Sequence, residues 1–263
     1  MKNILLLVHE DAGQEARLQV ALDVTRALDG HLECLAVMTW PLIVSDFYGT
    51  GYEAVVLAEV QEKAAQHRKR LEARLAVEDV PWTMGESFGT SLDALDQASD
   101  LADLIVISSS KDEKDKHRVP ETLPLRSRRP LLAVPPSCDG LDTAGRALIA
   151  WDGSRPCCEA VRAAVPLLRC AKYVQLLEIN QPDGALGMSD IARYLSRHGI
   201  SAELVEKTTA GPVAESILGT AAQGHADYIV MGAYSMPRAA EAVFGGVTRT
   251  MLLDTTVPLF VAH

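Results

Sequence analysis

The sequence has few aromatic residues and few cysteines. Aromatic side chains make up 5% of the 263 residues, although 48% of the residues are hydrophobic, so the core must be built from aliphatic side chains. An aliphatic core is typical of parallel strands covered by helices. The five cysteines are odd in number and show no CxxC spacing, which argues against a disulfide framework. We therefore expect a reducing, cytoplasmic setting.

An excess of positive charge and long apolar runs are also missing. The chain carries 25 basic and 35 acidic residues, which gives a net charge of −10 and an isoelectric point of about 5.2. Phosphate backbones and anionic membrane surfaces repel such a chain. No apolar run approaches the roughly 20 residues of a membrane span, and the first apolar run is too short for a signal peptide. We predict neither a nucleic-acid nor a membrane partner.

The motifs of several enzyme classes are absent as well. The sequence contains no P-loop, no GxGxxG and no SGGxDS signature of ATP pyrophosphatases. Its seven histidines show neither HExxH nor another clustered ligand spacing, so we expect no structural metal. These absences favour a binding module over a dedicated enzyme.

An internal repeat organises the chain. Segments of the first half match segments of the second half: 4–10 with 146–152, 102–106 with 226–230, and 130–134 with 258–262. The spacing is that of a whole duplicated domain and exceeds the 20–50-residue period of a solenoid. Residues 135–140 (PPSCDG) have the composition of a linker. We predict two domains, at 1–136 (repeat 1) and 145–263 (repeat 2).

Predicted strands and helices alternate in both repeats. Apolar runs predict strands at 4–8, 32–38, 81–84, 104–107 and 131–134 in repeat 1, and at 147–150, 173–179, 202–205, 228–231 and 259–261 in repeat 2. This order predicts an α/β fold with two tandem, doubly wound, parallel five-stranded sheets of Rossmann-like type. Local signals predict that Ser91 caps a helix, that Pro156 occupies the first turn of another, and that Pro124 interrupts a helix. The adjacent Cys157 and Cys158 are expected to be structural, with a redox sensor as the alternative.

Two loops of repeat 2 are candidates for a ligand site, because doubly wound sheets bind ligands at the carboxyl ends of their strands. The first loop is 151–154 (WDGS), in which Asp152 could accept hydrogen bonds from a base or a ribose. Its alternative role is a turn, with Ser154 capping the next helix.

The second loop runs from Gly232, at the end of a buried strand, to the paired glycines 245–246 and a helix that begins at Val247. Free backbone N–H groups at a helix N-terminus favour phosphate. The alternative interpretation of the paired glycines is a turn that leads into the helix.

Together these loops resemble the universal stress protein family. In its motif, a strand ends in glycine, a second glycine follows after two intervening residues, and a glycine with serine or threonine follows after nine more intervening residues. Here Gly232 and Gly245 match, Ser235 replaces the second glycine, and Gly246 stands where serine or threonine is usual. Residues 150–154 (AWDGS) fit the family's AxDGS turn. The resemblance is strong over repeat 2 and weak over repeat 1, and it points to the tandem type.

The resemblance implies an ATP site, because some family members bind ATP. Asp152 would then face the adenine. The residues expected along the ribose and phosphate path, where Ser235 could hinder close approach of the backbone, are Gly232, Ser235, Gly245, Gly246, Val247 and Thr248. In repeat 1, Glu10 replaces the aspartate, Ser108 replaces the first glycine, and the charged run 111–118 replaces the glycine loop. We therefore expect at most one ATP, with Mg²⁺, per chain.

The resemblance also implies a function and an assembly. We expect a stress-response regulatory or protective binding protein with protein partners of unknown identity. The alternatives are a slow ATPase or other nucleotide-handling enzyme, and a protein-interaction module without nucleotide. Single-domain relatives pair their last strands across a dimer axis, so 131–134 should pair with 259–262 as an intramolecular pseudo-dimer with pseudo-twofold symmetry. A homodimer of the whole chain is a further expectation.

Overall fold

The computed structural model describes residues 1–38, 52–109, 119–180, 186–234 and 246–263. Repeat 1 contains β1 (Asn3–Val8), α1 (Gln14–Ala27), β2 (His31–Met38), α2 (Tyr52–Leu75), β3 (Trp82–Phe88), α3 (Ser91–Ala98), a 3₁₀ turn (Ser99–Leu101), β4 (Leu104–Ser108), α4 (Val119–Ser127) and β5 (Leu131–Val134). Repeat 2 contains β6 (Arg146–Trp151), α5 (Arg155–Leu168), β7 (Tyr173–Ile179), α6 (Met188–Arg197), β8 (Ala202–Lys207), α7 (Val213–Gln223), β9 (Tyr228–Gly232), α8 (Val247–Asp254) and β10 (Leu259–Ala262).

The strands form one sheet of ten, in the order β3-β2-β1-β4-β5-β10-β9-β6-β7-β8. Each repeat contributes five parallel strands, and the chain turns back between its first and fourth strands, as in a doubly wound fold. The predicted α/β class is confirmed, and the two five-stranded halves are continuous with each other.

The halves meet through the antiparallel pair β5–β10, as predicted. Leu259 pairs with Ala133, Phe260 with Leu132, and Val261 with Leu131. Because the repeat equates Leu131 with Leu259 and Ala133 with Val261, the outer two pairs exchange under a twofold rotation. The pseudo-twofold axis therefore passes by the pair of Phe260 and Leu132, which are both completely buried. This pairing removes one exposed edge from each repeat.

Two aliphatic layers cover the two faces of the sheet, and each layer runs through both repeats. Ile4 of β1 and Ile149 of β6 belong to the layer that contains α1, α2, α5 and α6. Leu5 and Leu148, which point to the opposite face, belong to the layer that contains α3, α4, α7 and α8. Among the described helices, none has the length and apolar character needed to cross a membrane.

The structure corrects one strand prediction and one helix-cap prediction. The third strand was predicted at 81–84, but β3 continues to Phe88 because it pairs with β2 along its whole length, from Leu32–Trp82 to Met38–Phe88. The predicted cap Ser91 is wrong: the N-cap is Thr90, whose side chain accepts a hydrogen bond from the Asp93 backbone N–H at 3.1 Å. Pro156 does occupy the first turn of α5, as predicted.

The predicted interruption at Pro124 is also wrong, since α4 runs through it. A proline lacks the N–H that would bond to the carbonyl four residues earlier, which is Pro120 in the first turn. The buried side of α4 is formed by Val119, Pro120, Leu123 and Pro124 themselves. Packing of these side chains against the sheet stabilises the helix in spite of the missing bond.

The segment between the repeats is bound to repeat 1. Leu141 is buried, and its backbone N–H donates a hydrogen bond of 2.9 Å to Asp23 of α1. The Cys138 thiol donates to the carbonyl oxygen of Gly140 at 3.0 Å. The connection therefore packs on α1, although its composition is that of a linker.

Candidate functional site

The crevice of repeat 2 lies where β6 and β9 end side by side. These two strands are parallel neighbours, with Ala150 paired to Met231. Past this point α5 packs on one face of the sheet and α8 belongs to the other. Asp152 follows β6 directly and Gly232 is the last residue of β9. The structure therefore brings the beginnings of the two predicted loops together at the switch in strand order.

Asp152 combines a local role with an exposed carboxylate. Its Oδ1 accepts a hydrogen bond from the Ser154 backbone N–H at 2.9 Å, and Gly153 between them has a φ of +68°, which favours glycine. The Ser154 hydroxyl in turn caps α5 by accepting from the Cys157 N–H at 3.3 Å. The predicted turn and cap are both present. In the described part of the chain, the second oxygen, Oδ2, has no hydrogen bond.

Gly232 is required by the packing of the protein itself. A Cβ atom at this position would lie 2.4 Å from the backbone nitrogen of Cys157 and 2.8 Å from its Cα. The first turn of α5 thus packs directly on the end of β9. The sequence pattern assigned this glycine to the phosphate path, whereas the structure gives it a contact with α5.

The first turn of α8 carries the remaining described residues of the predicted site. Gly246 is the N-cap and offers no side chain to the first-turn N–H groups of α8. Thr248 is buried, and its hydroxyl oxygen accepts a hydrogen bond from the Tyr234 backbone N–H at 3.1 Å. Val247 is half-buried and packs against the core. Backbone N–H groups are therefore the donors that this helix can offer to an anion.

The predicted site residues Ser235 and Gly245 lie outside the described residues. The charged run 111–118, which stands in the corresponding loop of repeat 1, lies outside them as well.

The paired cysteines beside the crevice have the surroundings of structural residues. Cys157 is completely buried, and its thiol donates to the carbonyl oxygen of Ala150 at 3.3 Å. Burial raises the pKa of the Cys157 thiol, and the nearby Asp152 raises it further. The pKa of the partly exposed Cys158 is raised by the same two causes. A raised pKa disfavours the reactive thiolate, which supports the structural interpretation.

Glu178, a buried acid beside the crevice, was missed by the sequence analysis. It lies on β7 in register with Trp151 on one side and Glu206 on the other, and it is only 3% exposed. Burial raises the pKa of its carboxyl group, and the charge of Glu206 raises it further. The signal in the sequence was a lone acid near the end of an apolar strand, 173–179 (YVQLLEI).

In repeat 1 the equivalent crevice is filled by Arg17, which is 1% exposed. Its five N–H groups donate to the carbonyl oxygens of Leu7 and His9 and to side-chain oxygens of Asp11, Ser108 and Gln14. The distances range from 2.6 Å to the His9 carbonyl oxygen to 2.9 Å to Asp11 Oδ2. Arg17 therefore joins the end of β1 to Ser108 at the end of β4. Burial lowers the pKa of Arg17, and Asp11 opposes this shift.

Two further features close repeat 1. The Ser108 side chain needs space on α1, and Gly13 provides it: a Cβ on Gly13 would lie 2.6 Å from the Ser108 hydroxyl oxygen. Glu10, which replaces Asp152, forms an exposed ion pair of 2.6 Å with Arg70 of α2. The hydrogen bond from Arg70 lowers the pKa of Glu10. The acid of repeat 1 is therefore paired with α2.

Known structures share this architecture. A universal stress protein from Archaeoglobus fulgidus is 17% identical, with a TM-score of 0.77, and the match covers 99% of this chain and 95% of that one. A proposed universal stress protein from Pseudomonas aeruginosa UCBPP-PA14 is 16% identical, with a TM-score of 0.57, over 100% of this chain and 93% of the other. A protein of unknown function from Pseudomonas aeruginosa PAO1 is 16% identical, with a TM-score of 0.56, over 100% and 92%.

Comparisons of the sequence itself gave no match, either to a protein-family model or to a curated protein. The structural match at 17% identity extends over both repeats and nearly the whole length of the Archaeoglobus fulgidus chain. The resemblance predicted from the loops of repeat 2 is thus confirmed at the level of architecture, and the chain has the fold of a universal stress protein.

Proposed function

We propose that this chain is a stress-response binding protein of the universal stress type, and that repeat 2 binds ATP with Mg²⁺ in the crevice between β6 and β9. The difference between the two crevices carries the proposal. Arg17 fills the crevice of repeat 1, whereas in repeat 2 Asp152 is exposed and the N-terminus of α8 has no side-chain cap. A buried side chain of the protein thus occupies the first crevice, and the acid at the edge of the second is exposed.

The described residues suit the two ends of a nucleotide. Asp152 keeps its turn through Oδ1 and can accept a hydrogen bond from the base or ribose through Oδ2. The first-turn N–H groups at Gly246 and Val247 suit phosphate oxygens, because they carry the positive end of the helix dipole. The described residues contain no cluster of three metal-ligating side chains, so Mg²⁺ would be bound mainly by the phosphates and water.

We propose binding without efficient turnover, in the cytoplasm, with an effect exerted through protein partners. All five cysteines are free, which supports a reducing compartment. When a protein binds ATP without hydrolysing it, the ligand shifts the population of the protein's conformations, and a partner can recognise the ATP-bound conformation.

Calorimetry with Mg²⁺ and ATP on the purified chain tests the proposal, together with mass spectrometry of any nucleotide that co-purifies. We expect at most one ATP per chain. Asp152→Asn keeps the oxygen that accepts from Ser154 and replaces the other oxygen with an amide donor, so it should weaken binding by about tenfold. The matched substitution Glu10→Gln in repeat 1 should leave affinity unchanged. Two equivalent sites would contradict the assignment to repeat 2.

A nucleotide-free interaction module is the second candidate, and specific observations favour it. Gly232 is needed by α5, and the Thr248 hydroxyl is bonded to Tyr234, so both serve the fold itself. The absence of binding at millimolar ATP with Mg²⁺ would support this module. Steady release of ADP or AMP would instead support the third candidate, a slow nucleotide-handling enzyme.

A further inference from the structure

The ten-stranded sheet ends in the third strand of each repeat, with β3 at one end and β8 at the other. Among the described residues, each of these strands has a partner on one side only. Proteins commonly protect an unpaired strand edge from other chains with charged side chains. β8 (AELVEK) has Glu203, Glu206 and Lys207, whereas β3 (WTMGESF) has a single charged residue, Glu86. The edge of repeat 1 therefore has less of this protection than the edge of repeat 2.

The charge on β3 is also balanced within the chain. Arg68 of α2 forms an ion pair with Glu86. On the same face of the sheet, Trp82 and Met84 pack partly against the core, and Phe88 is 62% exposed. β3 therefore presents a mostly apolar edge with an exposed aromatic residue at its end.

The backbone groups of every second residue in β3 point outward. The Pro81 carbonyl oxygen, just before β3, accepts a hydrogen bond from β2 at 2.9 Å, and the Gly89 N–H, just after β3, donates one to β2 at 3.0 Å. Backbone groups of successive strand residues point to alternate sides, so the odd-numbered residues face β2 and the even-numbered residues face outward. Among the described residues, no hydrogen bond reaches the outward N–H or carbonyl oxygen of Met84 or Glu86. Another strand could pair with these groups.

The sequence of β3 suits pairing with a second copy of itself. Its residue types read the same in both directions, from aromatic through hydroxyl and long side chain to a central glycine and back: Trp82, Thr83, Met84, Gly85, Glu86, Ser87 and Phe88. An antiparallel copy with a twofold axis at Gly85 places aromatic opposite aromatic and hydroxyl opposite hydroxyl, which are favourable cross-strand pairs. Glycine at the axis leaves room where the two backbones approach most closely.

This register also suits the backbone. It places Met84 opposite Glu86 of the second copy, and the outward groups of these two residues can exchange both hydrogen bonds of an antiparallel pair. An axis at Glu86 would instead place this carboxylate opposite its own copy, where like charges repel. An axis at Met84 would place Phe88 opposite Val80, which lies outside β3. The axis at Gly85 is the one that pairs the whole strand.

We propose that the chain forms a homodimer in which β3 pairs with β3 of a second copy, antiparallel about Gly85. The pair joins two ten-stranded sheets edge to edge, as the antiparallel pair β5–β10 joins the two repeats within one chain. Trp82 of the second copy then lies beside Phe88, which lines a groove of about 360 Å³ between α2 and the sheet together with Met38 and Arg68. The contact covers an exposed aromatic side chain and is independent of the proposed ATP site.

Two proline variants compare the two edges of the sheet. Met84→Pro removes an outward N–H from β3, and the twofold axis makes this loss count twice. Leu204 is the matched position in β8, because its N–H also points outward when the Lys207 carbonyl oxygen accepts from Asn180 at the end of β7. Sedimentation equilibrium of the purified chain should show a dimer, with a dissociation constant about tenfold or more higher for Met84→Pro and unchanged for Leu204→Pro.

A pair of charged variants tests the register. Met84→Glu places a second carboxylate opposite Glu86 of the other copy, whereas Met84→Lys places an ammonium there. At low ionic strength the dissociation constant of Met84→Glu should exceed that of Met84→Lys by about threefold to tenfold. Both variants lose the same apolar side chain, so this comparison decides the matter even if Met84→Pro does not fold. Equal constants would overturn the proposed register.

Hydrogen exchange identifies the edge directly. The Met84 and Glu86 amides should exchange more slowly as the protein concentration rises and β3 becomes paired, while the Leu204 amide should not change. A chain that stays monomeric at high micromolar concentration would overturn the proposal, and so would a dimer that Leu204→Pro weakens and Met84→Pro does not. Assemblies that grow beyond the dimer would also overturn it, since they indicate an open contact between β3 and β8.

Discussion

The two repeats differ in how their first helix packs against the end of the fourth strand. In both, the first helix begins beside the ends of the first and fourth strands. In repeat 1 the side chain is on the strand: Ser108 ends the fourth strand, and Gly13 before α1 leaves room for it. In repeat 2 the glycine is on the strand: Gly232 ends the fourth strand, and α5 packs directly against it. α1 begins at Gln14 and α5 at Arg155, so Arg17 corresponds to Cys158. A long cation fills one crevice, and a small side chain stands at the matching place in the other.

This difference shows that two copies of one fold can fill the same crevice with different residues. Arg17 supplies hydrogen bonds to strand ends and loop residues from within the protein, so repeat 1 needs no ligand to satisfy them. The cost is a buried charge that depends on a complete set of partners. Repeat 2 keeps a crevice without such a charge and retains an exposed acid, Asp152, at its edge.

Removing Arg17 should have the largest effect on stability. Arg17→Met leaves Asp11, Ser108 and the two carbonyl oxygens without their donor, and should lower the free energy of unfolding by about 3 kcal/mol. Arg26→Met is the matched control, because the Arg26 side chain is itself 40% exposed, and it pairs with Glu78 and Asp79. It should cost less than about 1 kcal/mol in urea unfolding followed by tryptophan fluorescence. If the two variants lost similar free energies of unfolding, Arg17 would not be the residue that closes the crevice.

Adding one carbon at the end of β9 tests the packing of repeat 2. The Cβ of Gly232→Ala would approach backbone atoms of Cys157, which cannot turn away as a flexible side chain would, so we expect a loss of about 2 kcal/mol. Gly85→Ala, in β3, is the control, because the nearest atom would lie 3.7 Å from the new Cβ. Thermal unfolding should shift for the first variant only. An unchanged midpoint for Gly232→Ala would show that α5 can move away.

The cysteine pair provides a smaller test. Cys157 corresponds to Ala16 of α1, so Cys157→Ala gives repeat 2 the residue of repeat 1 and should cost about 1 kcal/mol for the lost buried atom. In the native chain near neutral pH, a thiol reagent should label Cys157 slowly because of its burial and raised pKa. Rapid, stoichiometric labelling of both vicinal thiols would instead indicate a redox role.

Glu178 should give the smallest effect, and it depends on pH. The pKa of its carboxyl group in the folded protein is raised above the usual 4.5, so the folded state binds the proton more tightly than the unfolded state. Its contribution to stability is therefore present at low pH and is lost as the pH rises through the folded pKa. Glu178→Gln cannot ionise, and should be stabilised relative to the unmodified chain at about pH 7 but not at about pH 4.

The control for this prediction is Glu206→Gln, which removes only the neighbouring charge, the weaker of the two causes of the shift. It should give a smaller gain at about pH 7 when the free energy of unfolding is measured in urea. An identical pH dependence in the unmodified chain and Glu178→Gln would mean that the buried carboxyl is not desolvated enough to matter.

The sequence by itself predicted the positions of the strands and which strands are neighbours, because both follow from local patterns and from the internal repeat. Apolar runs and turn residues placed nine strands nearly where they are, and the matching segments 130–134 and 258–262, with the family resemblance, predicted the union of β5 with β10. The adjacency of Asp152 and Gly232 also followed, because the first and fourth strands of a doubly wound sheet are neighbours. Each of these predictions needs only periodicity, glycine positions and the topology of the fold class.

Tertiary structure decided what a given residue does once the elements have packed. Pro124 stays in α4 and β3 runs to Phe88 because side-chain packing and strand pairing outweigh local preference. Arg17 reads as one more charge on an amphipathic helix, yet it is buried because partners distant in sequence converge on its guanidinium. A glycine at position 232 is expected both where a ligand approaches the backbone and where α5 packs against it, so the sequence does not distinguish these two roles. Such assignments depend on contacts between residues far apart in the chain, which no local pattern contains.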